Sequence, residues 1–189
     1  MDSNQVREFF ERVAGEWDQM HQSFYDETVV DALAERAQLT EASTVVDVGT
    51  GTGFVAGGLA PRVRRVIGVD SSPAMLAVAR DNLTGLGIGN VELTEAPVDA
   101  LPLKDRSADA AVANMVLHHA PDPAAMIAEM ARVVRPGGTV VISDCVEHDH
   151  EWMRTQQADR WLGFSAETIA ELFERAGLTD HGYAELGTT

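Results

Sequence analysis

Residues 45–53 read Val-Val-Asp-Val-Gly-Thr-Gly-Thr-Gly, and this stretch decides the fold. The run 44–48 is β-branched apart from Asp47, which is typical of a strand buried on both faces. The three glycines at alternate positions predict a sharp turn into a helix that begins near residue 54, because glycine readily adopts positive φ. Since glycine has no side chain, a ligand can also approach the backbone amides of this turn closely. In an open α/β sheet, nucleotide-like ligands bind at this carboxyl end of the first strand.

The spacing of the glycines separates two classes of ligand. Dinucleotide-binding folds carry G-x-G-x-x-G, with a phosphate at the helix N-terminus. Here the third glycine, Gly53, comes one residue early and Phe54 follows it. The pattern therefore argues against a nicotinamide-dependent oxidoreductase, which we keep as an alternative.

Segments typical of strands and of helices alternate along the chain, which predicts an α/β fold. The expected architecture is a doubly wound, mostly parallel, Rossmann-like sheet with helices on both faces. The predicted strands are 44–48, 66–70, 91–93, 109–114 and 139–144. The predicted helices of this core are 54–61, one that starts at Pro73 behind serine caps, 122–134 and 165–176.

Two amphipathic helices are predicted ahead of the first strand, over 3–20 and 26–38. They lie outside the repeating unit of the sheet, so they either cap the core or form a lid that keeps water out of the site. We expect a single domain, with residues 1–40 as the helical lid and 41–189 as the α/β core.

The composition excludes several classes of partner. Thirty acidic residues against fourteen basic ones give a net charge of -16, whereas phosphate backbones and anionic membranes attract clustered Lys and Arg. The N-terminus lacks the layout of a signal peptide, and no apolar run approaches the ~18–20 residues of a membrane span. The single cysteine, Cys145, fits a reducing compartment. We therefore expect a cytoplasmic protein that binds neither nucleic acid nor membrane.

Several separate signatures follow one another along the chain. They are Val-Asp-Val-Gly-Thr-Gly-Thr-Gly, Gly-Val-Asp-Ser-Ser-Pro-Ala-Met-Leu, Ala-Leu-Pro-Leu, Ala-Asn-Met-Val-Leu-His-His and Arg-Pro-Gly-Gly-Thr. Together they resemble the class I S-adenosylmethionine (SAM) dependent methyltransferases, in the branch of the ubiquinone/menaquinone-biosynthesis enzymes. The segments 147–154 and 159–164 resemble the methyltransferase domains found fused to arsenic-type repressors in bacteria.

The resemblance implies SAM as cofactor and assigns its contacts. Asp47 would face the ammonium end of SAM, and Asn114 would contact its methionine part. Asp70 would bind the ribose, and its position about twenty residues after the glycine loop suits a carboxylate that accepts both ribose hydroxyls. The full expected set is Trp17, Asp47, Gly49, Thr50, Gly51, Gly53, Asp70, Ser71, Met75, Val98 and Asn114.

Two positions depart from the family pattern. Relatives carry an aspartate for the adenine amino group where this chain has Pro97. Adenine recognition would then use the backbone around Val98, or neighbouring Glu95 or Asp99.

After the last helix, only residues 181–186 are left for the two strands that normally close the sheet, and they are enough for one short strand. An unpaired edge predicts either a homodimer that pairs it or a sequence cut short of its natural end.

Methyl transfer is an in-line displacement at carbon, so the protein supplies orientation, a dry site and sometimes a base for the acceptor. Histidine suits the last role because its pKa is close to neutral. The candidates are His21 near the lid, His118 and His119 after the fourth strand, and His148 and His150 after the fifth, and of these His119, His148 and His21 are preferred. The histidine pair ahead of Ala-Pro-Asp-Pro could equally fix a turn. Likewise, Trp152, Trp161 and Phe164 could wall an acceptor pocket or pack the last helix onto the sheet.

A metal site is not predicted. His148 and His150 share a face simply because they alternate on an extended segment, and no C-x-x-C or H-E-x-x-H spacing supports a site. Cys145 is interpreted as a small buried residue.

The expected function is SAM-dependent methyl transfer to a small-molecule acceptor, at oxygen, nitrogen or carbon. The alternative is a protein that binds SAM or S-adenosylhomocysteine (SAH) without catalysis, as a sensor or accessory subunit.

Overall fold

The fold is built on a sheet of five parallel strands in the order β3-β2-β1-β4-β5. The computed structural model describes residues 3–21 and 27–186, without the side chains of Ser3, Met20, His21 and Glu27. The strands are β1 (Thr44–Val48), β2 (Arg65–Asp70), β3 (Val91–Glu95), β4 (Ala108–Asn114) and β5 (Val134–Ser143). This sheet confirms the predicted α/β, Rossmann-like architecture.

Strand β1 lies at the centre of the sheet and is buried on both faces. Val45 and Val46 are both fully buried and belong to different apolar clusters, because successive side chains of a strand point to opposite faces. Val46 packs in the cluster that holds Met126 and Ile127, whereas Val45 packs with Leu33 and others. The run of valines in β1 therefore contributes to a hydrophobic core on each face of the sheet.

Eight α-helices are found among the described residues. They are α1 (Ser3–Val13), α2 (Trp17–His21), α3 (Glu27–Arg36), α4 (Phe54–Leu59), α5 (Pro73–Gly85), α6 (Pro123–Val133), α7 (Trp152–Gln156) and α8 (Ala166–Arg175). The predicted cap of α5 is confirmed, since the Ser72 hydroxyl accepts from the amide of Met75 at 3.3 Å. None of the helices in the described ranges is long and apolar enough to cross a membrane.

The N-terminal helix predicted over 3–20 is divided into α1 and α2. A turn over 14–16 separates them, and the Glu16 amide donates to the Val13 carbonyl there. Gly15 lies in this turn, and glycine is a poor helix former because it loses the most backbone freedom. The prediction of one continuous helix was therefore wrong.

The end of the sheet also differs from the prediction. Strand β5 begins at Val134 rather than at 139, and its register with β4 shifts across the glycine pair 137–138. Residues 181–186, which are long enough for one short strand, form none. Within the described ranges, β5 pairs only with β4 and its outer edge is open.

The strand order sets the position of the site. From β1 the chain winds outward through β2 to β3, whereas β4 and β5 lie on the other side of β1. The connections after β1 and β4 therefore leave the sheet in opposite directions, which opens a crevice at the carboxyl ends of these two strands.

Candidate active site

A cavity of about 450 Å³ lies at the carboxyl ends of β1, β2 and β4. Its volume falls within the range of pockets for small molecules and cofactors. The predicted site residues that line it are Trp17, Asp47, Gly49, Thr50, Gly51, Asp70, Ser71, Met75, Val98, Asn114 and His119. Residues from five separate segments thus meet at the place that the sequence indicates.

The glycine loop brings the backbone close to the cavity. Gly49 has a φ of 74°, and a Cβ built on it would lie 2.3 Å from Cγ2 of Val116. The amides of Gly49 and Thr50 both donate to the Val69 carbonyl, which holds the loop against β2. Gly53, a predicted cofactor contact, does not line the cavity; it caps α4 with a φ of 85° and packs against Ala79.

Asp47 lies at the end of β1 and is almost completely buried, with 1% of its surface exposed. The hydroxyl of Thr50 donates to its Oδ2 at 2.6 Å. Burial raises the pKa of Asp47 to about 7, against the lowering effect of the hydrogen bonds from Thr50 and from the Ala56 backbone. The carboxyl group therefore changes its charge near neutral pH.

Asp70 ends β2 and is tied to two loops by its carboxylate. Oδ2 accepts from the Gly51 amide and Oδ1 accepts from the Ser72 amide, both at 2.9 Å. Burial raises the pKa of Asp70, while the backbone hydrogen bonds from Ser72 and Gly51 act in the opposite direction. These bonds fix the direction of the carboxylate at the cavity wall.

Asn114 ends β4, and its Oδ1 is buried without a hydrogen-bond donor among the residues that the structure describes. Buried side-chain oxygens are nearly always hydrogen-bonded, so such an acceptor on a cavity wall indicates a donor on the ligand. The ammonium of an amino acid moiety would supply one, and Asp47 lies on the same cavity. The polar groups at the ends of β1, β2 and β4 thus fit SAM.

The segment after β3 forms the wall beside Asp70. Pro97, Val98 and Asp99 line the cavity, and the amide of Ala96 donates to the Asp70 carbonyl at 3.0 Å. The residues expected to replace the missing aspartate, including Glu95, therefore do reach the cavity.

Helices α1 and α2 lie over the cavity. Phe10 and Trp17 line it, with their ring centroids 5.2 Å apart. Asp18 fastens α2 to the core, because its carboxylate accepts from the Thr52 hydroxyl at 2.5 Å and from the Asn82 side-chain amide at 3.0 Å. This position suits the predicted lid, and these contacts are not visible in the sequence, since 34 and 64 residues separate the partners.

The three candidate bases lie in different environments. His119 is buried on the cavity wall, with its ring 4.9 Å from Phe10 and its Nδ1 3.2 Å from the Ala158 carbonyl oxygen. His148 does not line this cavity; it borders an open cleft along β5 and α8. The backbone of His21 belongs to α2, but its side chain lies outside the described part of the structure.

His118 belongs to a buried ionisable cluster behind His119, and its partners in this cluster, Asp144 and Asp159, were missed in the sequence. His118 Nδ1 lies 2.7 Å from Oδ1 of Asp144, and His118 Nε2 lies 3.7 Å from Oδ1 of Asp159. Burial disfavours the charged imidazole, but the two carboxylates, Asp144 above all, raise the pKa of His118. Asp144 could have been found in the sequence, because it directly follows β5, just as Asp47 and Asp70 lie at the ends of β1 and β2. No comparable pattern in the sequence points to Asp159.

Other residues that the sequence singled out have structural roles. Burial raises the pKa of Cys145 to about 12, which suits the interpretation of an unreactive thiol. The indole of Trp161 donates to the Ala120 carbonyl at 3.0 Å, and neither Trp161 nor Trp152 lines the cavity. Both are exposed, Trp152 by 48% and Trp161 by 43%, so the structure supports neither an acceptor pocket nor the packing of the last helix onto the sheet for these two side chains.

Comparisons with known proteins agree with this geometry. The family model described as a methyltransferase domain matches residues 46–142, which are 97 of the 189 residues. An uncharacterized 37.1 kDa transposon protein of Streptomyces fradiae is 40% identical over 64% of this chain, and an arsenite methyltransferase of Halobacterium salinarum is 37% identical over 59%. The chain spans only 34% and 29% of these two relatives.

A solved structure covers more of the chain. A Haloferax volcanii protein, described as a methyltransferase and solved with the Trm112 methyltransferase activator, is 30% identical with a TM-score of 0.78. The alignment covers 89% of this chain and 75% of that protein. Taken with the glycine loop, the acids that end β1 and β2 and the parallel sheet, these matches show that the chain belongs to the class I SAM-dependent methyltransferases.

Proposed function

We propose that this protein binds SAM in the cavity at the ends of β1, β2 and β4 and transfers its methyl group to a small-molecule acceptor. The observation that carries the proposal is the meeting of Asp47, Asp70 and Asn114 on one cavity of suitable volume. Asp47 is buried and Asp70 is half-buried, and both carboxyl groups are held by hydrogen bonds. The side-chain oxygen of Asn114 is a buried acceptor without a described donor.

Each polar group has a distinct part in holding SAM. The carboxylate of Asp70 accepts the ribose hydroxyls, and the backbone of the glycine loop, whose amides at Gly49, Thr50 and Gly51 are held within the protein, lies against the methionine and ribose. Asp47 and Asn114 receive the ammonium group. The backbone around Val98, with Asp99 beside it, lines the adenine end.

SAM supplies an electrophilic methyl group on a sulfonium, and the residues of this chain orient the reactants around it. Phe10 and Trp17 cover the cavity and keep water from it. His119 is the candidate base on the cavity wall, and its ring is held by the Ala158 carbonyl and the edge of Phe10. His148 would reach the acceptor only from the neighbouring cleft, and a role for His21 stays a prediction.

The second function is binding of SAM or SAH without catalysis. It uses the same cavity, so turnover alone separates the two. Purified protein would be incubated with methyl-labelled SAM and a panel of acceptors that begins with phenols and quinols. Labelled product with an equal amount of SAH would support the proposal. Donor binding without product from any acceptor, including whole-cell extracts, would support the non-catalytic alternative.

Pairing of the open β5 edge by a second copy of the chain also stays a prediction. The edge strand has only β4 as a partner among the described strands, and unpaired edges attract further strands. Light scattering during gel filtration would show a dimer mass at micromolar concentration, whereas a stable monomer would contradict the pairing.

A further inference from the structure

The carboxylate of Asp159 is the least satisfied polar group in the described part of the chain. Only 2% of this residue is exposed, and neither Oδ1 nor Oδ2 receives a hydrogen bond from any described residue. A buried carboxyl group without hydrogen bonds is costly in free energy, so a positive charge beside it is expected. Nitrogens of His118 and His119 lie nearest to it, and the charges of His148 and Arg154 also act on it.

Two imidazoles approach this carboxylate from one side. Nε2 of His118 lies 3.7 Å and Nδ1 of His119 lies 3.9 Å from Oδ1 of Asp159. The three ligand atoms all lie within 4.8 Å of one another, and the three residues are buried. These distances are too long for hydrogen bonds, so the space between the atoms fits a bridging ion better than direct contact.

His118 is oriented as metal-bound histidines usually are. Its Nδ1 donates to the carboxylate of Asp144 at 2.7 Å, because a carboxylate can only accept. Nε2 is then the nitrogen that faces Asp159, and it offers a lone pair to a metal ion once the ion displaces its proton. Asp144 is itself held by the amides of Leu117 and Cys145, both at 2.8 Å. A carboxylate behind a histidine in this way fixes the ring and its tautomer for a metal ion.

We infer that His118 Nε2, His119 Nδ1 and the carboxylate of Asp159 bind one divalent transition-metal ion of the zinc type. Zinc bonds of about 2.0–2.2 Å place tetrahedral ligand atoms about 3.3–3.6 Å apart. The two separations from Asp159, 3.7 and 3.9 Å, need to close by only a few tenths of an ångström, and the two histidine nitrogens lie within 4.8 Å of each other. His119 binds through its other tautomer, with the proton on Nε2, and exchanges the Ala158 carbonyl for the ion. An occupied metal site therefore excludes the role of His119 as a base. A solvent molecule takes the fourth position.

Nitrogen and oxygen donors together select zinc-type ions rather than magnesium or calcium, which prefer oxygen alone. His148 and His150 lie outside the cluster, and their rings stack at 5.1 Å. His150 is exposed, so it serves as a matched control for adventitious binding by surface histidines.

The test is a titration of chelator-treated protein with Co²⁺, followed by competition with Zn²⁺, in the absence of SAM. We expect one ion per chain, the intense visible absorption of tetrahedral cobalt and a dissociation constant at or below the micromolar range. Because neither SAM nor activity is measured, this result is independent of the proposed methyl transfer.

Variants locate the ion. Asp159→Asn, which keeps the shape of the side chain, and His118→Gln should each weaken binding at least about tenfold, whereas His150→Gln should leave it unchanged. His119→Gln provides a third ligand variant should either of the first two fail to fold, as judged by circular dichroism. Loss of binding in Cys145→Ala would overturn the inference by assigning the ion to His118, Asp144 and Cys145, a group that shares one ligand. Absence of cobalt absorption, or wild-type affinity in folded Asp159→Asn protein, would also overturn it.

Discussion

The carboxylate of Asp70 accepts a hydrogen bond from the amide of Gly51 at 2.9 Å, which ties the end of β2 to the loop that follows β1. The other carboxylate oxygen is held by the amide of Ser72 at the same distance. The carboxylate is therefore fixed in direction before any ligand arrives, and its free lone pairs are available to the ribose.

Replacing Asp70 by alanine should weaken SAM binding about 100-fold or more. Two hydrogen bonds from the ribose to a charged group are lost, each worth about 1.5–3 kcal/mol. Calorimetric titration measures the change. Asp81→Ala is the control, because Asp81 is an exposed acid on α5 that does not line the cavity. Unchanged affinity in Asp70→Ala would contradict the placement of the ribose.

The affinity for SAM should rise with pH between pH 6 and pH 7. Burial raises the pKa of Asp47 from 3.8 to about 7, so the free protein holds a proton there in the mildly acidic range. The ammonium of SAM favours the ionised form, and binding must therefore displace this proton. For one group with a pKa of about 7 the affinity increases about fivefold over this interval.

Asp47→Asn tests the origin of that pH dependence. The amide keeps an oxygen for the Thr50 hydroxyl but does not titrate, so its binding curve should be flat between pH 6 and pH 7. Titrations in buffers with different ionisation enthalpies count the protons released. A pH dependence of equal size in the variant would assign the effect to another group.

Loss of the Asp18 carboxylate should speed the release of bound ligand. Asp18→Ala removes the bonds from Thr52 and Asn82 that hold α2 over the cavity. Each such bond contributes about 0.5–1.5 kcal/mol, so the loss of both should raise the dissociation rate of SAH about fivefold to 150-fold. Stopped-flow fluorescence of Trp17, which lines the cavity, reports this rate. Glu16→Ala, an exposed neighbour in the preceding turn, should leave it unchanged.

Gly49→Ala should destabilise the protein more than Gly51→Ala. Both positions have positive φ, 74° and 54°, and alanine is strained at each. A Cβ at Gly49 would in addition lie 2.3 Å from Val116 Cγ2, whereas nothing lies within 4 Å at Gly51. Urea unfolding should show a loss of about 1 kcal/mol for Gly51→Ala and a larger loss for Gly49→Ala. Equal losses would mean that Val116 moves aside.

Local patterns in the sequence predicted the sheet and most of the cavity wall. Asp47 and Asp70 end strands that their apolar runs reveal, and parallel strands bring their carboxyl ends to one edge whatever the intervening sequence. Likewise, Ser72 precedes Pro73 as a helix start requires, and its hydroxyl caps α5.

Contacts between distant segments could not be predicted in this way. Asp159 reaches His118 across 41 residues of chain, and nothing in its neighbourhood distinguishes a buried carboxylate from an exposed one. The same holds for Asp18 and its partners on the core. The start of β5 was misplaced because the glycine pair 137–138 is typical of a turn after a helix, yet here it accommodates a register shift inside a strand.

The central claim is that the cavity at the ends of β1, β2 and β4 binds SAM. The most direct test is calorimetric titration of the purified protein with SAM, SAH and NADH. The account predicts one site per chain, micromolar affinity for SAM or SAH and no binding of NADH. Binding of NADH, or binding of neither SAM nor SAH, would contradict it.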